Sequence, residues 1–113
     1  MEQSHIEVFS PATGEKIGQV AISNRDDVAS AFDRARNAQQ EWGARSLQER
    51  CAVIRRVKDV IIDRTDEICE LLTIEQGKPR IEAMVHDVAN LVDLIHYFTK
   101  NAERILTPEP IPL

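Results

Sequence analysis

Two thiols and the polar run around one imidazole are the groups in this 113-residue chain best equipped to do chemistry: Cys51, Cys69 and the neighbourhood of His86. A thiolate is a nucleophile or a metal ligand wherever its surroundings lower its pKa. The two cysteines stand 69 − 51 = 18 positions apart, five helical turns. On one straight helix they share a face but lie about 27 Å apart along the axis, too far for a disulfide. Both sit among apolar neighbours and read as buried structural cysteines.

His86 adjoins Asp87, with Glu82 at i−4 and Asn90 at i+4. A carboxylate, an imidazole and an amide along one helix edge are the types that bind a metal or a polar ligand. Two good ligands and one poor one fall short of a zinc site, and a solvated helix edge accounts for the same residues. Glu75 and Lys78 flank an interhelical stop. Catalysis by either requires a pocket and a perturbed pKa, whereas a loop residue needs only water, so both read as structural. His5 and His96 have no companions of this kind.

Composition narrows the function classes. The chain is 42% hydrophobic and 29% charged, ordinary for a soluble globular protein. A net charge of −5 and a pI near 5.2, with no basic run, argue against a nucleic-acid partner. One Trp, one Tyr and three Phe offer little for base stacking. No stretch approaches the ~20 apolar residues of a membrane helix, and Met1-Glu2-Gln3-Ser4-His5 has neither the basic nor the apolar region of a secretory signal. Two cysteines are too few for a disulfide framework. The expectation is a cytoplasmic protein with no membrane partner.

The elements that must position these groups follow from spacing. Residues 5–22 read as a β-hairpin: Ile6 and Val8, then Ile17, Val20 and Ile22, flank a Ser10-Pro11-Ala12-Thr13-Gly14-Glu15 turn. An isolated hairpin is marginal in water and needs a surface to lie on. A first helix is expected over 25–42, capped by Asn24 or Ser23, with Asp26 and Asp27 in its first turn and Gly43 as its end. Its stripe is Val28, Phe32, Ala35, Ala38 and Trp42. A second helix is expected over 46–76, opened by the capping box Ser46-Leu47-Gln48-Glu49. Its face runs from Leu47, Cys51, Ile54, Val57 and Ile61 to Ile68 and Leu72. Gly77 suits the left-handed stop and Pro79 the restart. A third helix is expected over 79–106, with Ile81, Met84, Val88, Val92, Ile95, Phe98, Ala102 and Ile105 as its main stripe. Leu91, Leu94 and Tyr97 widen that face beyond what one partner helix covers. The Pro-rich tail 107–113 is expected to be extended.

A 28-residue helix is ~42 Å long, whereas a compact chain of this size has a diameter of only about 34 Å. Such helices make an elongated layer, or one wall of something larger.

The order Val8-Phe9-Ser10-Pro11-Ala12-Thr13-Gly14-Glu15, Ile17-Gly18, Asp27-Val28, Ala31, Ala35-Arg36 and Trp42 resembles the start of the aldehyde dehydrogenase superfamily. Glu49-Arg50, Glu75-Gln76-Gly77-Lys78-Pro79, Glu82-Ala83 and Tyr97-Phe98 continue the match over nearly the whole chain. The resemblance implies NAD- or NADP-linked oxidation of an aldehyde to an acid through a Cys nucleophile, an oxyanion donor and a Glu that activates water. It places all three, with the dinucleotide-binding sheet, downstream of residue 113. Neither cysteine has the family's nucleophile context, and Gly14, Gly18, Gly43 and Gly77 form no phosphate-cradling loop. No catalytic, cofactor-binding or metal residue is therefore expected here, and no cofactor for this chain alone.

The resemblance also sets His86 and Asn90 at the mouth of the substrate tunnel, and makes Asp87 a candidate cation contact. The fold expected is mainly α with a short N-terminal β-hairpin, the helical layer of the α/β aldehyde dehydrogenase fold. The partners expected are the remainder of the enzyme or identical subunits, met through exposed apolar helix faces. A free-standing helical interaction module is the rival reading, because large apolar patches seldom stay uncovered. An autonomous metalloenzyme built on His86 is a third.

Overall fold

The computed structural model describes residues 4–109. It is mainly helical, with a two-stranded antiparallel sheet at the N-terminal end. Strands β1 (His5–Phe9) and β2 (Lys16–Ala21) pair Ile6 with Val20 and Val8 with Gly18, and the register slips between Val8 and Phe9. The turn closes through Gly14 N–H to the Ser10 carbonyl at 2.8 Å and Ser10 N–H to the Glu15 carbonyl at 2.9 Å. Gly14 has φ +73°, a left-handed conformation that L side chains resist. Ser10 is buried beneath the turn.

Helix α1 (Arg25–Ala44) starts at Asn24, whose side chain accepts from Asp26 and Asp27 N–H while the Asp27 carboxylate accepts from Asn24 N–H. Gly43 does not end it. The helix runs through Gly43 to an extended Arg45, because glycine stops a helix only where it turns left-handed. Every α1 residue except Trp42 is exposed, and the inner stripe expected from Val28 and Phe32 stands 62% and 63% open.

The helix expected over 46–76 is two. Helix α2 (Leu47–Asp63), opened by the Ser46–Glu49 capping box, breaks at Arg64, and helix α3 (Thr65–Gln76) follows. Arg64 has φ −102° and ψ 18°, off the helical minimum. The Thr65 hydroxyl donates to the Ile61 and Ile62 carbonyls at 3.2 and 2.8 Å, and such back-bonding bends helices. Arg64 also forks onto the Glu67 carboxylate. Gly77 ends α3 with φ +69°.

The helix expected over 79–106 is likewise divided. A single turn, α4 (Arg80–Glu82), passes into a π-helical segment, Ala83–Ala89, and then into α5 (Asn90–Leu106). The π segment changes which residues face inward. Ala83 and Val88 are both buried, although five α-helical steps of about 100° set residues about 140° apart. The i→i+5 bonds of a π turn stack them on one face instead. Ile81, Met84, Phe98 and Ile105, expected on the inner stripe, are exposed. The shielded line is Ala83, Val88, Val92, Ile95, Thr99 and Ala102.

Cys69, Ala83 and Val88 form the core, with Ile61, Ile68, Leu72 and Val92 packed against it. The start of α2 meets the end of α5, since Leu47 and Cys51 share a cleft with Thr99 and Glu103, while α3 lies on the π segment. The radius of gyration is 19.4 Å and the extents are 60 × 41 × 31 Å. A compact chain of this size would have a radius of about 13 Å. Of the tail expected to be extended over 107–113, Thr107–Glu109 are non-helical and 110–113 lie outside the described residues.

Candidate functional site

The π segment carries the polar run singled out by sequence. His86 and Asp87 lie within it, and Asn90 is the first residue of α5. His86 is exposed. The Asn90 amide donates to the His86 carbonyl at 2.8 Å, so this side chain is partly spent on its own backbone. Thr99 and Asn101 bond back to the preceding turn in the same way.

Asp87, the candidate cation contact, meets a cation of the chain's own. Lys78 Nζ donates to its carboxylate at 2.6 Å, with both side chains partly shielded. Sequence reasoning left Lys78 to water. A pairing nine positions apart across a glycine–proline stop leaves no periodic signal. Among the described residues, no three of His, Cys, Asp and Glu converge as a metal site.

Lys78 is firmly placed. A Cβ added to Gly77 would come within 3.0 Å of Pro11 Cγ, so the hairpin turn rests on the interhelical stop. On the other side, the Pro79 carbonyl accepts from Glu82 and Ala83 N–H at 2.9 and 3.2 Å. Arg80 pairs with the Asp66 carboxylate and donates to its carbonyl, tying α4 to the head of α3.

The thiols separate. Cys69 is fully buried and Cys51 half-buried. Cys51 lines a cleft of about 530 Å³ with Arg55, Lys100 and Glu103. A second cleft of about 390 Å³ runs beside Trp42. Neither contains His86 or Asn90, both of which are exposed. The described residues do not fit a dinucleotide either. The sheet is one antiparallel pair, without the strand–glycine turn–helix unit that cradles a pyrophosphate.

The whole chain, residues 1–113, matches the description "Aldehyde dehydrogenase family". It belongs to that family. The succinate-semialdehyde dehydrogenase [NADP(+)] of Deinococcus radiodurans is 33% identical over 104 residues, covering 92% of this chain and 22% of the relative. The crystal structure of succinate-semialdehyde dehydrogenase from Burkholderia pseudomallei superposes with a TM-score of 0.85 at 34% identity, over 96% of this chain and 23% of that one. Aldehyde dehydrogenase 21 from Physcomitrella patens, solved with the reaction product succinate, gives 0.86 at 28% identity over 99% and 23%. The chain thus spans less than a quarter of the length of these family members, and it matches their N-terminal part.

Proposed function

We propose that these residues are the N-terminal wall of an NAD(P)-dependent aldehyde dehydrogenase that oxidises a short carboxylated aldehyde of the succinate-semialdehyde class. In this reading the layer packs on the dinucleotide domain and on neighbouring subunits, and the nucleophile, the water-activating Glu and the cofactor cradle come from sequence outside residues 1–113. His86 and Asn90 stand at the mouth of the substrate tunnel, and the enzyme is cytoplasmic.

The observation that carries the reading is uncovered apolar surface on a chain that matches the family from end to end. The accessible surface is 9508 Å², whereas a compact monomer of 12.8 kDa exposes about 6,300 Å². The excess is on the scale of an obligate interface, roughly 2,000–5,000 Å². Family membership favours the remainder of the same fold as the cover over an unrelated partner of a free-standing module.

The test is turnover. The polypeptide that carries this segment with the rest of the family fold should oxidise succinate semialdehyde with NADP+ or NAD+ supplied. Residues 1–113 alone should give no turnover and no calorimetric binding of either nucleotide. Acid formation by the 113-residue chain itself would overturn the reading. His86→Ala in the active polypeptide should raise KM for the aldehyde and leave kcat nearly unchanged, the pattern of a binding contact made equally in ground and transition states.

A further inference from the structure

We propose that the Lys78–Asp87 ion pair holds the π-helical register of Ala83–Ala89 and thereby positions His86; the functional half of this inference rests on the tunnel-mouth reading above. A π turn is rare, found mostly as a single-turn bulge inside an α-helix, and needs its surroundings to hold it. Two things hold it here. One is burial of Ala83 and Val88 on the same face against Cys69. The other is the 2.6 Å bond from Lys78, the one ion pair among the described residues that reaches into the segment.

The direction of control follows from how each partner is mounted. Lys78 sits between a left-handed Gly77 wedged against Pro11 and a Pro79 whose carbonyl anchors the next turn. Its ammonium is a tether from a fixed point. Asp87 rides on the segment itself. Relaxation to an α-helix would set Val88 about 140° from Ala83 around the axis, carry Asp87 away from the tether and re-aim His86 beside it. Keeping the pair keeps the register, so Lys78 and Asp87 are positioning residues.

Amide hydrogen exchange reads the first half directly, in the polypeptide that carries residues 1–113. Lys78→Met and the isosteric Asp87→Asn should each speed exchange of peptides covering 83–90 about 5- to 10-fold, the scale of local opening when a partly shielded pair is lost. Lys78→Arg should restore protection. The double variant should add nothing to either single, because both remove the same contact. Arg80→Met removes a pair that ends before the π segment and should leave 83–90 unchanged. Equal effects of Arg80→Met and Lys78→Met, or unchanged exchange in both Lys78→Met and Asp87→Asn, would overturn the inference.

Kinetics reads the second half. Lys78→Met should raise KM for the aldehyde alongside His86→Ala, at unchanged kcat, with Lys78→Arg recovering it. A KM effect of His86→Ala without one of Lys78→Met sinks the positioning claim and spares the tunnel-mouth reading. Faster exchange in Lys78→Met together with an inert His86→Ala spares the register claim and sinks the tunnel mouth.

Discussion

Gly77 answers to two constraints at once. Its φ of +69° disfavours any L side chain, and its missing Cβ makes room for the Pro11 ring. Gly14 has a similar φ but open space around it. Gly14→Ala should therefore cost only the left-handed penalty, about 1–2 kcal/mol, while Gly77→Ala should cost more in a denaturant titration. Pro11→Ala should recover part of the difference. At the head of α2, Ser46→Ala should cost about 1 kcal/mol through loss of the cap. The Ser46 hydroxyl and amide bonds hold the Glu49 carboxyl below its ordinary value of 4.5. A lowered carboxylate contributes its full share of stability above that value and loses it as pH falls through the folded-state value. Below pH 4.5 the wild type should thus weaken with a slope that Glu49→Gln reduces, as a pH series of thermal melts would show. Glu67, lowered by its hydrogen bonds with Arg64, works in the same direction and leaves a residual slope.

At the scale of elements, the π segment marks where periodicity stopped being a guide. Turn and cap chemistry was legible: Gly14, Asn24, Ser46–Glu49 and Gly77 each act as their residue types dictate, through bonds between neighbours in sequence. The stripe of the third helix was legible only in part: Val88, Val92, Ile95 and Ala102 are shielded as expected, whereas Ile81, Met84, Phe98 and Ile105 are exposed. A fixed 3.6 period placed Ile81 and Met84 inside with Val88, but one additional residue in the turn shifted the phase upstream, so Ala83 took the core beside the expected Val88. The break at Arg64 escaped for a related reason. Thr65 is an ordinary helix residue by propensity, and only its hydroxyl bonds to Ile61 and Ile62 show the bend. The polar run of His86, Asp87 and Asn90 could be read from the chain, but the Lys78–Asp87 contact is tertiary and had no local signature. Deleting Val85 tests the phase argument. Ala83 and the former Val88 would then be four apart and share an α-helical face. Circular dichroism should show helix content retained and a melting temperature not lowered, while, on the tunnel-mouth role proposed for His86, KM for the aldehyde rises because that side chain is re-aimed.

For the molecule as a whole, what is exposed matters more than what is buried. Among the described residues three apolar side chains make up the buried core, and Val28 and Phe32 stand uncovered on α1. A patch of this kind on an unassembled chain drives association. Residues 1–113 alone should sediment as oligomers or aggregates and bind a hydrophobic dye. Val28→Lys with Phe32→Lys should lower both signals without loss of α1, whose ends are capped independently of that face.

The seat of Pro11 against Gly77 has a temporal side. A ribosome delivers the hairpin well before the loop it rests on, and at about 5–20 residues per second the wait is roughly 3–13 s. A lone hairpin is marginal through that interval, so its strands settle only once the stop at Gly77 has emerged. Nascent chains arrested ahead of that codon should be cut readily by protease between His5 and Ala21, and chains arrested well past it should resist.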